Sequence, residues 1–133
     1  MKYTGSCLCG AIRFEIEGDF HRFFLCHCNR CRKDTGSAHA ANLFSSSASL
    51  KWLSGEPLVK IFHLQGTRHS KSFCIECGSA LPHTADDGKM LVIPAGCLDT
   101  DIHIRPDSHI FVGSKANWDN ELEKLRQFDD LPK

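Results

Sequence analysis

The segment FCIECGS, residues 73–79, contains two cysteines separated by two residues and followed at once by a glycine. Two intervening residues allow both thiolates to turn toward one metal ion. The next residue, Gly78, can adopt a positive φ that other residues tolerate poorly. Cys74 and Cys77 therefore predict a zinc knuckle, a tight turn that supplies two ligands of a tetrahedral site and needs two more thiolates from elsewhere in the chain.

A second cysteine pair lies near the N-terminus, in the segment GSCLCG, residues 5–10. Residues two apart project from the same face of a strand, so we expect Cys7 and Cys9 to point toward one metal ion while Leu8 points into the core. Together with the knuckle of residues 74–77, this pair would complete the four thiolates of a closed structural zinc site. Such a site would join the N-terminal strand to the middle of the chain.

Three further cysteines lie in the segment LCHCNRCRKDTG, residues 25–36. Cys26 and Cys28 share one face of a strand, and the first turn of a short helix would return Cys31 to the same point. Three protein ligands with an open fourth position are typical of a catalytic zinc. The segment therefore predicts a second zinc site that differs from the first by one missing ligand.

Two alternatives to an open second site remain. A fourth protein ligand, Cys97 or a histidine such as His39, would close it, and ligands could also exchange between the two clusters. We interpret Cys97 as a small core residue and His39 as a half-buried strand histidine, which leaves the site open. His27 lies between two ligands and is expected on the opposite face of the strand, away from the metal.

Composition limits the other functions of these thiols. The 133 residues suit one domain, which we expect to span residues 1–133. Sixteen basic residues balance sixteen acidic residues, so no overall charge attracts nucleic acid or an anionic membrane. The chain shows neither a signal peptide nor an apolar stretch long enough to cross a bilayer, and we expect a cytoplasmic protein. Because cytoplasmic thiols stay reduced, the eight cysteines indicate metal binding rather than disulfides.

The remaining sequence predicts a mainly β fold. In AIRFEIEG, residues 11–18, apolar Ile12, Phe14 and Ile16 alternate with charged residues, the pattern of a strand with one buried face. Seven other segments are rich in β-branched and aromatic residues and are separated by turn residues. They are RFFLC (22–26), AHAANLF (38–44), LKWLSG (50–55), LVKIFHL (58–64), KSFC (71–74), KMLVIPAG (89–96) and HIFVG (109–113).

Helix is scarce in this pattern. The segment NRCRKDTG, residues 29–36, predicts one short helix that ends at its glycine. The segment NELEKLRQF, residues 120–128, predicts a second, with Leu122 and Leu125 on one side. The serine-rich residues 45–49 are expected to form a loop.

These motifs, with others, resemble the family of glutathione-dependent formaldehyde-activating enzymes, also called the CENP-V/GFA domain. The resemblance extends from Gly5 to about Leu131. At two positions the chain departs from the family: His39 replaces a common aromatic residue such as Phe, and Cys97 replaces Thr or another small residue. The matching segments are GSCLCG (5–10), CHCNRCRK (26–33), GSA (36–38), FCIECGS (73–79), PAGCLD (94–99), HIFV (109–112) and KANW (115–118).

The resemblance implies the β-tent architecture grouped as Mss-four-like: a single zinc-stapled domain of short antiparallel strands with one or two short helices. It also implies two zinc ions. The structural zinc would be held by Cys7, Cys9, Cys74 and Cys77, and a labile, catalytic-type zinc by Cys26, Cys28 and Cys31.

The activity implied is that of a carbon–sulfur lyase. Such an enzyme forms or cleaves the adduct of glutathione, or a related thiol, with formaldehyde or another small aldehyde. Glutathione carries two carboxylates, so basic and polar side chains near the second zinc are candidate contacts, Arg32 and Ser37 first among them. The alternative is a non-catalytic zinc module that binds a protein or nucleic acid, although the balanced charge weakens the nucleic-acid version.

Overall fold

The computed structural model describes residues 1–132, which form a mainly β fold as predicted. Within those residues lie eleven short strands and one α-helix, α1 (Asn29–Thr35). The strands are β1 (Lys2–Ser6), β2 (Arg13–Glu17), β3 (Arg22–Cys26), β4 (Ala40–Ser45), β5 (Ser49–Ser54), β6 (Val59–His63), β7 (Ser70–Cys74), β8 (Ala80–Leu81), β9 (His83–Ala85), β10 (Met90–Pro94) and β11 (Ser108–Ile110).

The strands form three small sheets in the described part of the chain. The first has the order β1-β2-β5, the second β11-β3-β4-β10-β9 and the third β6-β7-β8. Helix α1 follows β3 and leads into β4, and these two strands are adjacent in the second sheet. The cysteine-rich segment therefore lies at one end of that sheet.

One strand pair departs from the expected antiparallel arrangement, because β11 runs parallel to β3. β10 runs in the same direction as β3, because both are antiparallel to β4, so the chain must cross over between β10 and β11, and residues 95–107 form that connection. Asp107 fixes the end of that connection: its backbone N–H donates to the Phe23 carbonyl (2.7 Å), and its side chain accepts from the Phe23 N–H (2.8 Å). β11 thus enters the sheet in the direction of β3.

The core is built from the apolar face predicted in β2. Ile12, Phe14 and Ile16 are each 0% exposed, which confirms the alternation read in residues 11–18. Phe14 also packs edge-on against Trp52 of β5, with ring centroids 5.6 Å apart. Leu43 of β4 and Ile93 of β10 join the same core, so the first and second sheets pack against each other.

The expectation for Leu8 is wrong, because its side chain is 86% exposed. β1 ends at Ser6, and residues 7–10 form a turn in which the Gly10 N–H donates to the Cys7 carbonyl at 3.0 Å. The pair Cys7 and Cys9 turns its sulfurs toward the same cluster, so the intervening side chain projects outward from the turn.

The helix expected over residues 120–128 is also wrong. The structure has only one 3₁₀ turn there, Leu122–Lys124, preceded by Glu121 in the left-handed region (φ 49°). Leu122 and Leu125 are 39% and 64% exposed. Short helices depend on packing of an apolar face, and these two leucines gain little burial.

Smaller differences concern strand limits. The strand predicted over residues 109–113 is shorter, since Phe111 adopts a left-handed conformation and Val112–Ser114 form a 3₁₀ turn. β8 and β9 were not predicted from the sequence. The N-terminal strand lies at residues 2–6 rather than around residues 7–9, and the loop expected over residues 45–49 is limited to residues 46–48. No helix among residues 1–132 has the length and apolar character needed to span a membrane.

Candidate metal centres and adjoining clefts

Cys7, Cys9, Cys74 and Cys77 converge on one point, with their sulfur atoms all within 4.8 Å of one another. The Cys7 and Cys9 sulfurs are 3.6 Å apart, and the Cys9 and Cys74 sulfurs are 3.9 Å apart. A tetrahedral site with metal–sulfur bonds of about 2.3 Å has sulfur–sulfur edges of roughly 3.8 Å. The spacing therefore fits four thiolates around one ion.

Two tight turns position these sulfurs. One is the turn of residues 7–10, and the other follows β7, where the Gly78 N–H donates to the Cys74 carbonyl at 2.7 Å. Gly78 has a φ of 75°, which confirms the positive φ expected after the knuckle. Because β1 and β7 belong to different sheets, the cluster links the first sheet to the third.

Backbone N–H groups surround the cluster and stabilise negative charge on sulfur. The N–H of Ile12 donates to the Cys7 sulfur at 3.3 Å, and that of Glu76 to the Cys74 sulfur at 3.4 Å. Burial raises the pKa of Cys77, but N–H donors from Cys9 and Ser79 and the nearby thiols outweigh it and lower the pKa to about 6. Thiolate, the form that binds metal, is therefore favoured at Cys77. At Cys9 a backbone donor from Ala11 lowers the pKa, but the neighbouring thiols outweigh it and raise the pKa to about 11.

Cys26, Cys28 and Cys31 form a second cluster, again with all sulfurs within 4.8 Å of one another. Cys26 ends β3, Cys28 is the N-cap of α1, and Cys31 lies in the first turn of that helix. The Cys28 sulfur accepts the Cys31 N–H at 3.3 Å, so one side chain both caps the helix and joins the cluster. The pKa of Cys28 is lowered: burial raises it, but this bond and the neighbouring thiols prevail.

Neither candidate for a fourth ligand joins this cluster. Among the described residues, the group that meets at Cys26, Cys28 and Cys31 contains no further Cys, His, Asp or Glu. Cys97 lies in the hydrophobic core, as interpreted from the sequence, and burial raises the pKa of its thiol to about 12. His39 belongs to a different group of residues.

That group consists of His27, His39 and Asp119, whose candidate ligand atoms also lie within 4.8 Å of one another. His27 is only 2% exposed, and its Nε2 lies 2.8 Å from Nδ1 of His109. Sequence reasoning did not single out Asp119, because no ligand-like spacing connects it to either histidine. The tertiary structure alone brings the three together.

A cleft of about 370 Å³ lies beside the second cluster, and we call it the Cys31 cleft. Arg68 and Lys71, which precede the knuckle in the sequence, contribute cationic side chains to it. Asp34 fixes two side chains that line this cleft, since its carboxylate lies 2.8 Å from His69 Nε2 and 3.3 Å from Lys71 Nζ. The lining includes Cys31, Asp34, Phe44, Arg68, His69 and Lys71.

Arg32 and Ser37, the predicted glutathione contacts, line a different cleft of about 440 Å³ on the outer side of α1. Trp118 lies across from them in this helix cleft. The Arg32 guanidinium also donates to the Ser114 carbonyl at 3.1 Å, which fixes its position. The two residues therefore share a surface, but that surface is not the Cys31 cleft.

Comparison with known proteins agrees with this architecture. The family model of the glutathione-dependent formaldehyde-activating enzyme matches residues 2–114. A protein of Halomonas elongata, named as a putative glutathione-dependent formaldehyde-activating enzyme, is 31% identical over 137 aligned positions, covering 96% of this chain and 85% of that protein. A crystal structure of a Rhodobacter sphaeroides protein is similar in fold, with a TM-score of 0.59 and 21% identity over 80% of this chain and 98% of the other. By its sequence, the chain belongs to the family of glutathione-dependent formaldehyde-activating enzymes.

Proposed function

We propose that the protein forms or cleaves the adduct of glutathione, or a related thiol, with formaldehyde or another small aldehyde at a zinc ion held by Cys26, Cys28 and Cys31. The observation that carries the proposal is a cluster of three sulfurs beside an open cleft, in a chain of this family. A second zinc, held by Cys7, Cys9, Cys74 and Cys77, would be structural. Reduced thiols in both clusters suit the cytoplasm.

Zinc is the metal that the donor sets favour. Clustered thiolates select soft or borderline ions, and four sulfurs at tetrahedral spacing are typical of structural zinc. When bound at the three-cysteine cluster, zinc would lower the pKa of a thiol or polarise a carbonyl. The two clusters differ in ligand number, so we expect the four-cysteine site to hold its metal more tightly.

The Cys31 cleft supplies the groups that would bind glutathione. Arg68 and Lys71 present two cations against the single carboxylate of Asp34, which leaves positive charge for the carboxylates of the tripeptide. Lys71 is held by two contacts, since its Nζ also donates to the backbone carbonyl of Asp34 at 2.7 Å. A fixed cation binds a carboxylate without losing further side-chain freedom.

The helix cleft offers a second set of contacts at the other side of α1. We propose Arg32 and Ser37 as contacts for the distal end of a thiol substrate that extends around the helix. The fixed guanidinium of Arg32 suits a carboxylate.

The reaction itself needs few protein groups. The sulfur of the thiol adds to the aldehyde carbon, a carbon–sulfur bond forms, and the thiol proton ends on the former carbonyl oxygen. The reverse reaction returns that proton to sulfur. We expect the cationic residues of the cleft to accelerate the reaction by holding the thiol in a fixed position and orientation for attack on the aldehyde.

Substitution of Cys31 tests the proposal. We expect the wild-type protein to accelerate formaldehyde–glutathione exchange above the rate in buffer, measured by two-dimensional exchange NMR, and Cys31→Ser to return it to that rate. Cys97→Ala is the matched control, because it removes a thiol outside both clusters and should keep the activity. A wild-type rate equal to that of buffer would show that this reaction is wrong and would leave the non-catalytic zinc module.

A further inference from the structure

The group of His27, His39 and Asp119 lies outside both cysteine clusters and has no part in the proposed reaction. Its members come from three places in the chain: the junction of β3 and α1, the residue before β4, and a turn in which the Asp119 N–H donates to the Ala116 carbonyl at 3.1 Å. His27 is 2% exposed, and the side chain of Asp119 is 17% exposed. Two imidazoles and a carboxylate thus meet in a largely buried place.

Two nitrogen atoms in this group are buried and unpartnered. Nδ1 of His27 and Nδ1 of His39 are both shielded from solvent, and neither has a hydrogen-bond partner within the described residues. The ring centroids are 5.1 Å apart, so both atoms belong to one small region. Buried polar atoms in folded proteins are nearly always satisfied, and two adjacent exceptions call for a ligand.

The contacts of His27 indicate what kind of ligand this is. Its Nε2 is engaged with His109 at 2.8 Å, and when Nε2 donates there, Nδ1 carries a lone pair. Nδ1 lies 3.3 Å from Asp119 Oδ2, within ion-pair distance but outside hydrogen-bond geometry. In the tautomer with the lone pair on Nδ1, two acceptors face each other at this distance, and a cation between them removes their repulsion. A metal-binding imidazole is usually oriented by a hydrogen bond at its other ring nitrogen, and His109 supplies such a contact to Nε2 of His27.

We propose that His27, His39 and Asp119 form a third metal site, which binds a divalent first-row transition ion. Imidazole nitrogen together with one carboxylate suits Zn²⁺, Co²⁺ or Fe²⁺, whereas Mg²⁺ and Ca²⁺ prefer oxygen ligands alone. The separation of 3.3 Å between His27 Nδ1 and Asp119 Oδ2 is that of two neighbouring ligand atoms around one ion with bonds of about 2.0–2.2 Å. The site binds its ion through nitrogen and oxygen, and the two cysteine clusters bind theirs through sulfur.

The difference in donor atoms provides the test. The full-length protein, with zinc already in its cysteine clusters, is titrated with Co²⁺ and followed by visible absorption and by metal analysis after gel filtration. We expect one equivalent of Co²⁺ to bind with d–d bands and without thiolate-to-cobalt charge transfer. No binding, or binding that shows only charge transfer, would overturn the proposal, since the ion would then be absent or at the cysteines.

Two variants and one control locate the ion. Asp119→Asn keeps the shape of the side chain and removes its charge, and His39→Phe replaces one ring by another without a ligand atom. Each should weaken Co²⁺ binding at least about tenfold, while His103→Phe, at an exposed histidine outside the group, should not. Unchanged affinity in folded Asp119→Asn and His39→Phe would show that a water molecule or a protein hydrogen bond satisfies the buried nitrogens instead. Circular dichroism establishes that each variant is folded.

Discussion

At the scale of single residues, Cys77 and Cys97 show how differently two reduced cysteines can be placed. Cys77 lies in a turn beside three other sulfurs, and backbone donors lower its pKa to about 6. Cys97 is 9% exposed among apolar side chains, and burial raises its pKa to about 12. One environment favours thiolate and the other the neutral thiol, so only Cys77 is placed to bind a metal.

The first prediction contrasts these two residues. We expect Cys77→Ser to give an unfolded or insoluble chain with reduced zinc content, because structural zinc contributes about 10–16 kcal/mol, as much as the whole stability of a small domain. Cys97→Ala, the control, should cost roughly 1 kcal/mol through the lost packing of one sulfur. Thermal unfolding and metal analysis of both variants measure the difference. A soluble Cys77→Ser protein with wild-type melting temperature would contradict a structural role.

At the scale of elements, β1 can pack closely against the core because Gly5 has no side chain. A Cβ at this position would lie 2.2 Å from the tip of the Phe14 ring and 2.7 Å from the Cys97 carbonyl oxygen. Phe14 cannot move aside easily, since it is 0% exposed and packs against Trp52. The close approach lets Gly5 pair with Leu98, which ties β1 to the segment after β10.

The second prediction follows from this approach. Gly5→Ala should destabilise the protein by about 1–3 kcal/mol through overpacking, measured by urea unfolding. Gly113→Ala is the control, because a Cβ there meets no atom within 4 Å, and it should change stability by less than about 0.5 kcal/mol. Equal stability of the two variants would show that β1 shifts to admit the methyl group.

Helix α1 is an element whose limits follow from its sequence. Cys28 caps its beginning, and Gly36 (φ 66°) ends it with an N–H bond to the Arg32 carbonyl at 2.8 Å. The glycine is a local signal, and the helix predicted from it over residues 29–36 is present at residues 29–35, whereas the Cys28 cap was not predicted. The segment 120–128 carries an apolar period without such caps, and the chain there adopts Glu121 in a left-handed conformation instead. Apolar residues at helical spacing do not by themselves form a stable helix when their apolar face packs against nothing else in the protein.

At the scale of the whole molecule, the four-cysteine cluster joins two sheets that share no strand. The turn after β1 and the turn after β7 both contribute sulfurs to it, so the first and third sheets depend on the same point. The three-cysteine cluster lies instead between β3 and α1, which are consecutive in the chain. Loss of a metal from the four-cysteine cluster should therefore destabilise more of the structure than loss of a metal from the three-cysteine cluster.

Staged chelation gives the third prediction. A mild chelator should remove the metal of the three-cysteine cluster with little change in near-ultraviolet circular dichroism, and only a strong chelator should unfold the chain. Hydrogen exchange of β1 and β7 amides should then rise together, because one ion would hold both strands in place. Removal of all cysteine-bound metal in a single step, with unfolding, would show that the two clusters are equally structural.

Much of the fold and part of the candidate site could be predicted from the sequence. The alternation in β2 and the turn at Gly78 depend on neighbouring residues, so local patterns were sufficient for them. The exposed position of Leu8 was missed because the pair Cys7 and Cys9 was placed in a strand, whereas β1 ends one residue earlier. The roles of the cysteines in binding zinc, and of Arg32 and Ser37 in binding a thiol, stay predictions.

The sequence by itself determined the mainly β class, the helix at residues 29–35 and the membership of the family, because each of these follows from short motifs and their periodicity. Only the tertiary structure decided that Cys97 lies in the core, that β11 runs parallel to β3, and that Asp119 meets His27 and His39. Those contacts join residues far apart in the chain. Their formation depends on how the sheets pack, and no local spacing encodes that packing.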